Sequence, residues 1–341
     1  QIMKITEVLP SLKNNEDLSE EEMSLVVQEI LEGSCKDAQI IDFLAALSSK
    51  GESVDEIVGA ASVMRKLSQK VVVSTEGLVD TCGTGGSGIG IFNVSTAASF
   101  VASACGAKVA KHGNRTATRK SGSADLLEQA GISLKLNPSQ VGRCIEEVGI
   151  GFMFAPAHHS AMKHVAGPRK EMGVKTIFNI LGPLTNPANA PNQVMGVYNK
   201  RWLKPMAEVL KELGSKHVLV VHSKDSLDEI SIADETYVTE LINGSIKEYT
   251  ICPEDFGFSR HSIDDLLVQS PEESLLLVKE ALRGENEVAA SMVAMNAGAV
   301  LYAANIVKDI KQGVLLAKDA IESKKGLKKL NELASFSKSL S

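Results

Sequence analysis

A chain of 341 residues, 44% hydrophobic and 23% charged, has the composition of an ordinary folded protein and the length for one large core with a smaller companion. Its 36 basic against 42 acidic side chains leave a net charge of -6, which excludes a nucleic-acid binder held by bulk charge. No run approaches about eighteen apolar residues and the first residues carry no signal-peptide pattern, so the expected location is the cytoplasm, away from membranes.

Residues 1–72 read as a small α-helical domain of three helices. Ser19 and Glu22 match a capping box ahead of Met23, Val26, Val27, Ile30 and Leu31 at helical spacing. Asp37 is placed to cap a second helix through Ile40, Ile41, Phe43 and Leu44, and Ser53 a third through Ile57, Val58, Ala61 and Met64. From residue 73 to 341 the pattern is that of a large α/β domain with a central, mainly parallel sheet flanked by helices. Expected strands are 78–81, 108–110, 151–154, 194–198 and 217–221, and the helices between them are 94–105, 124–130, 138–148 and 203–213. Residues 229–232, 236–241 and 245–251 read as antiparallel strands, with Asn243-Gly244 as a hairpin turn, and the chain returns to helix from Pro271. Later helices, near 165–200, are expected to rejoin the N-terminal unit. Cys35, Cys82, Cys105, Cys144 and Cys252 show no C-x-x-C spacing and read as reduced, packed thiols.

"DTCGTGGSG", Asp80 to Gly88, places Gly83, Gly85 and Gly88 in G-x-G-x-x-G spacing after a strand. A dinucleotide site also needs a carboxylate about twenty residues on, to take the ribose hydroxyls. The second strand ends instead in Lys108, Val109, Ala110, Lys111 and His112, and no Walker-type Lys-Ser or Lys-Thr pair follows the glycines. What remains is a general anion cradle of backbone N–H groups. "NVST", residues 93–96, adds Ser95 and Thr96 hydroxyls at a helix start that Asn93 is placed to cap. Residues 111–125, "KHGNRTATRKSGSAD", read as a second phosphate clamp, with Lys111 as a point charge and Arg115 or Arg119 as forks. Asp225, Asp228 and Glu229, just beyond a strand, supply carboxylates of the kind that hold Mg²⁺ together with substrate oxygens.

With "KHGNR", "KSGSADLLE", "TIFNILGPLTNP" and "VHSKDSLDEIS", these motifs occur in an order and spacing that resemble the anthranilate phosphoribosyltransferases over nearly the full chain. The resemblance implies a homodimer built like the pyrimidine nucleoside phosphorylases. It also implies transfer of phosphoribose from phosphoribosyl pyrophosphate to the amine of anthranilate, in tryptophan biosynthesis, with two Mg²⁺ per subunit when substrate is bound. Carried onto this sequence, Gly83, Gly86 and Ser87 lie in the pyrophosphate loop. Ile91, Asn93, Val94, Ser95 and Thr96 stand beside the sugar phosphate, and Lys111, Gly113, Asn114, Arg115, Arg119 and Ser123 belong to a loop that closes over the substrate. Ser95, Asp228 and Glu229 match the metal ligands, and Gly83, Asn114 and Arg169 match the anthranilate contacts. Lys111 and Arg169 carry the charge stabilisation and aiming of the reaction, and His112 is the candidate for late proton removal.

Four positions depart from the family: Ser87 where Asp is common, Ile91 where Thr or Ser is common, and Thr118-Arg119 in place of a frequent Ser-Ser. Three other functions share parts of the pattern. They are a phosphoribosyltransferase for another aromatic amine, a pyrimidine nucleoside phosphorylase, which takes free phosphate and needs less counter-charge, and a nucleic-acid-binding relative, which needs extended basic surface.

Overall fold

The structure is a computed structural model that describes residues 2–116 and 120–341. Seven strands, β1 (Leu78–Gly83), β2 (Lys108–Gly113), β3 (Ile150–Phe154), β4 (Asn192–Gly196), β5 (His217–Ser223), β6 (Thr236–Ile242) and β7 (Ser245–Ile251), form one sheet in the order β3-β2-β1-β4-β5-β6-β7. The first five are parallel and the last two antiparallel. The parallel strands are sandwiched between helices and largely buried, and they carry buried polar residues among the apolar ones: Asp80 in β1, Lys111 in β2 and Gln193 in β4. β6 and β7 turn at Asn243 and Gly244, whose φ values of 52° and 75° give the left-handed pair a two-residue hairpin needs.

One face of the sheet packs on helices Val94–Ala104, Pro271–Arg283, Glu287–Ala303, Ile310–Glu322 and Lys325–Leu340. The small side chains of Glu287–Ala303 permit close approach: the Gly298 backbone lies against Gly313 and Val314 of the next helix, where a Cβ has no room. The other face carries a separate core. There Ile5, Met23, Phe43, Leu47 and Ile57 of the N-terminal helices meet Val165, Phe178 and Leu181 from the middle of the chain, Trp202, and Met206 and Leu210 of helix Leu203–Glu212. Among the described residues no helix is long and apolar enough to cross a membrane, and the five cysteines are free thiols.

Two expected elements differ from the structure. The N-terminal unit holds four helices, Ile5–Lys13, Glu20–Leu31, Asp37–Lys50 and Val54–Leu67. The first, Ile5–Lys13, carries Pro10 in its interior, and its Ile5, Val8 and Leu12 line one buried face. Residues 229–232 are not a strand. Asn296 stands in for a strand partner, its Nδ2 donating to the Ile230 carbonyl (2.9 Å) and its Oδ1 accepting from the Ile230 N–H (3.0 Å). A smaller shift concerns Asp37, which is the first residue of its helix; the cap is Lys36, whose N–H donates to Gln39 Oε1.

The boxes at Ser19/Glu22 and Ser53/Glu56 are present. Glu56 does more than cap. Fully buried, it accepts from Ser53 N (2.7 Å), Leu18 N (2.9 Å) and Lys50 Nζ (2.7 Å), tying three segments of the helical unit to one carboxylate. Replacing it with Ala leaves the Leu18 and Ser53 N–H donors unmet and takes one of two carboxylates from Lys50 Nζ, which keeps Asp17 Oδ1 (2.6 Å) and Gly51 O (2.7 Å). Glu56→Ala is therefore expected to cost about 3 kcal/mol, since each buried donor left unmet costs about 1–3 kcal/mol. Urea unfolding measures this, and a loss below about 1 kcal/mol contradicts the assignment.

Candidate functional site

β1 feeds β2 and β3 on one side, and the chain then returns to place β4 on β1's other side. The C-terminal ends of β1 and β4 thus flank a topological switch point, where open α/β sheets bind ligands. The glycine loop springs from this point: Gly83 closes β1 in register with Gly196 of β4. Left-handed φ values at Gly85 (68°), Gly86 (78°) and Gly88 (75°) fold the loop into a turn that L-residues resist. Thr84 anchors it, its N–H donating to Gly196 O (2.9 Å) and its Oγ1 accepting from Tyr198 N (3.0 Å).

The acidic segment reaches the same place. Asp228 Oδ2 accepts from Gly85 N at 3.2 Å, and a Cβ on Gly83 would lie 2.5 Å from that oxygen. A Cβ on Gly196 would strike the Asp228 backbone carbonyl, which cannot swing aside as a side chain can. Gly196, unremarked in the sequence, is therefore what lets the carboxylate segment lie against β4. Asp228 and Glu229 are both buried. Asp225 is turned away from this arrangement, with its Oδ2 accepting from Ser231 Oγ (2.9 Å).

Lys111, almost fully buried on β2, donates from Nζ to Thr81 O (2.6 Å) at the end of β1 and to Ser95 Oγ (3.4 Å) at the start of helix Val94–Ala104. Its counter-charge is Asp80, a fully buried carboxylate that accepts from His112 N (3.2 Å) and Asn186 Nδ2 (2.8 Å). Burial raises the Asp80 pKa against the opposing pull of Lys111 and of those donors. Ser95 and Lys111 thus meet at Thr81 of β1, and the loop that follows β1 meets Asp228.

Other expected residues stand differently. Ile91 and Val94 point into the large core, 1% and 0% exposed, so their side chains are closed to a ligand. Asn93 is at the cap position but makes no cap bond; its Nδ2 donates to Ser121 O (3.1 Å) and its Oδ1 accepts from Ser274 Oγ (2.7 Å). Arg115, expected as a phosphate fork, pairs with Asp125 (2.9 Å) and Glu128 (3.0 Å) and lies over the Phe154 ring. Asn114 is exposed, and its carbonyl accepts from Ala124 N. Gly113 packs against Ser123 Oγ, which leaves no room for a Cβ there. Ser87 Oγ accepts from Ile89 N (3.3 Å) within the loop. Thr96 Oγ1, Ser121 Oγ and His112 Nε2 are buried without a hydrogen-bond partner among the described residues. Arg119 and Thr118 lie outside the described residues.

Arg169, on helix Lys163–Met172, has its guanidinium 5.8 Å from the centre of the Phe178 ring, and burial lowers its pKa. The site's oxygen donors fit Mg²⁺. Among the described residues no cluster of three or more His, Cys, Asp or Glu is placed to hold a metal; Mg²⁺ is commonly bound by one or two carboxylates together with substrate oxygens and water.

His112 is a poor proton acceptor. Burial first, then the neighbouring His159 and His158, push its pKa down to about 3, and His159, 5.1 Å away ring to ring, is pushed by burial to about 4. Both rings are neutral in the folded protein near pH 7, whereas unfolded they titrate near 6.5. Between these values the unfolded chain binds the extra protons. Their contribution to stability is thus complete above pH 6.5 and is lost as pH falls through 4 toward 3. Urea midpoints should decline from pH 6.5 to 5, less steeply in His159→Gln; identical slopes would overturn the assignment.

Similarity to known proteins covers nearly the whole chain. The glycosyl transferase family's helical bundle domain matches residues 6–68 and its a/b domain residues 75–327. An anthranilate phosphoribosyltransferase of Ectopseudomonas mendocina is 56% identical over 338 residues, 98% of this chain and 97% of the relative. The crystal structure of anthranilate phosphoribosyltransferase from Thermus thermophilus is 41% identical, with a TM-score of 0.92 over 97% of this chain and 99% of that one. The enzyme of that name from Saccharomyces cerevisiae, solved in complex with phosphoribosyl pyrophosphate and Mg, is 28% identical, with a TM-score of 0.90 over 98% of each chain.

Proposed function

Since this chain belongs to the anthranilate phosphoribosyltransferases of the glycosyl transferase family, we propose that it moves the phosphoribosyl group of phosphoribosyl pyrophosphate to the amine of anthranilate. The products are N-(5-phosphoribosyl)anthranilate and pyrophosphate, a step of tryptophan biosynthesis. It works as a cytoplasmic homodimer with Mg²⁺, two ions per subunit when the substrate is bound. The observation that best supports this reading is the contact of Asp228 with the glycine loop, which sets a buried carboxylate against the Gly85 N–H, on the loop that follows the strand Lys111 braces.

In the reaction the bond from C1 to the pyrophosphate oxygen breaks, and both its electrons leave with pyrophosphate. The anthranilate nitrogen supplies the pair for the new C1–N bond and gives up one proton to water. Positive charge grows on the sugar before the amine arrives, so the protein's work is placement and charge. The glycine-loop N–H groups and the Lys111 ammonium hold the departing pyrophosphate. Arg169 takes the anthranilate carboxylate, with the guanidinium steadied over Phe178, and so aims the amine. Ser95, Asp228 and Glu229 hold Mg²⁺, which supplies charge neutralisation for the pyrophosphate. An arylamine is unprotonated at neutral pH and needs no strong base, in keeping with the weak basicity of His112. His112 instead fixes the exit of β2 by giving its backbone N–H to Asp80.

Mixing the protein with phosphoribosyl pyrophosphate, Mg²⁺ and anthranilate should extinguish anthranilate fluorescence; turnover of another arylamine but not anthranilate would sink the acceptor. Arg169→Ala is expected to raise the KM for anthranilate by about tenfold or more, the equivalent of ~1.4 kcal/mol, and the KM for phosphoribosyl pyrophosphate far less. Equal changes in both would remove the carboxylate role. In the Asp228→Ala/Glu229→Ala double variant the Mg²⁺ dependence of activity should disappear, and an unaltered titration curve would refute the ligand assignment.

A further inference from the structure

Lys175 was not singled out by any motif, yet it lies across the tip of the glycine loop. A Cβ on Gly86 would sit 2.8 Å from Lys175 Cε, 3.7 Å from its Nζ and 3.8 Å from Tyr198 Cδ1. The ammonium stands 4.7 Å from the centre of the Tyr198 ring. Tyr198 is itself fixed, by its N–H on Thr84 Oγ1 (3.0 Å) and by Trp202 Nε1 on its hydroxyl (3.2 Å). The backbone on the C-terminal side of Lys175 is equally held: Thr176 N donates to Asn179 Oδ1 (2.8 Å), and Thr176 and Ile177 are buried. The lysine side chain is exposed, and among the described residues it makes no ion pair. An exposed ammonium is held only weakly over a tyrosine face, so a phosphate arriving at the loop can take it over.

On the reading above, which places pyrophosphate at this loop, we propose that Lys175 is a second cationic ligand of the pyrophosphate group. Lys111 serves the strand end before the loop, and Lys175 serves the loop's tip. When C1 releases its electron pair to pyrophosphate, Lys175 keeps its proton and shares the incoming charge. The lysine comes from the segment between helices Lys163–Met172 and Phe178–Leu181, whose Val165, Ile177 and Phe178 pack in the helical-domain core. Its hold on pyrophosphate therefore also ties that core to the phosphate loop of the sheet.

The test uses Mg-pyrophosphate as the probe, titrated calorimetrically into wild type, Lys175→Met and Lys175→Arg, each checked for an unchanged urea midpoint. The expected result is a Kd weakened about tenfold or more in Lys175→Met, recovery to within about threefold in Lys175→Arg, and unchanged affinity for anthranilate. Equal pyrophosphate affinity in wild type and Lys175→Met overturns the proposal, as does a wild type that binds no pyrophosphate. Anthranilate turnover by the wild type is measured in parallel. A protein that binds pyrophosphate through Lys175 but leaves anthranilate unconsumed keeps this assignment and loses the proposed acceptor.

Discussion

The approach of the Asp228 segment to the glycine loop is the contact on which the rest of the site depends. A buried carboxylate is costly unless donors meet it, and here a loop N–H does so at the point where the sheet changes direction. Two glycines on neighbouring strands make the approach sterically possible, Gly83 by yielding to the carboxylate and Gly196 by yielding to the main chain behind it. Once that segment is seated, an acidic wall from β5 faces a basic one from β2, with the loop between them.

The basic wall is held with similar economy. Lys111 is buried because Asp80 balances it, and Asp80 is buried because the His112 N–H and Asn186 satisfy it. Asn186 also donates to Ala110 O, so one amide braces β1, β2 and the segment after Phe178–Leu181 together. The two sheet faces contribute differently. The face packed on Val94–Ala104 and the C-terminal helices keeps the phosphate end rigid, while the helical-domain face delivers Arg169 and Phe178, the acceptor side.

What could be read from the sequence was what is local or periodic. The capping boxes involve residues three apart and were legible, as were the Asn-Gly hairpin and the alternation of short apolar runs with helices. The glycine spacing was ambiguous alone and was decided by the missing acid after β2. The backbone of the "DE" pair was not legible: residues 229–232 look like a strand, and the partner of Ile230 is the side chain of Asn296, 66 residues away. The same distance problem hid Gly196, whose need for a bare Cα arises only when β4 meets the Asp228 carbonyl, and Asn93, whose capping is overridden by Ser121 and Ser274. Arg115 had the right chemistry for a phosphate fork, and nearby Asp125 and Glu128 claim it.

The Asn296 clamp has a chemical side. It works because one amide offers a donor and an acceptor to the C=O and the N–H of a single residue, while its own Nδ2 also bonds the Met292 carbonyl. Aspartate in its place would present only acceptors to the Ile230 carbonyl, and a neutral contact would become a repulsion directly behind the acidic pair. Deamidation, an everyday form of protein ageing, would at this one buried position be converted into a misplaced carboxylate wall, although no residue of the site itself had changed.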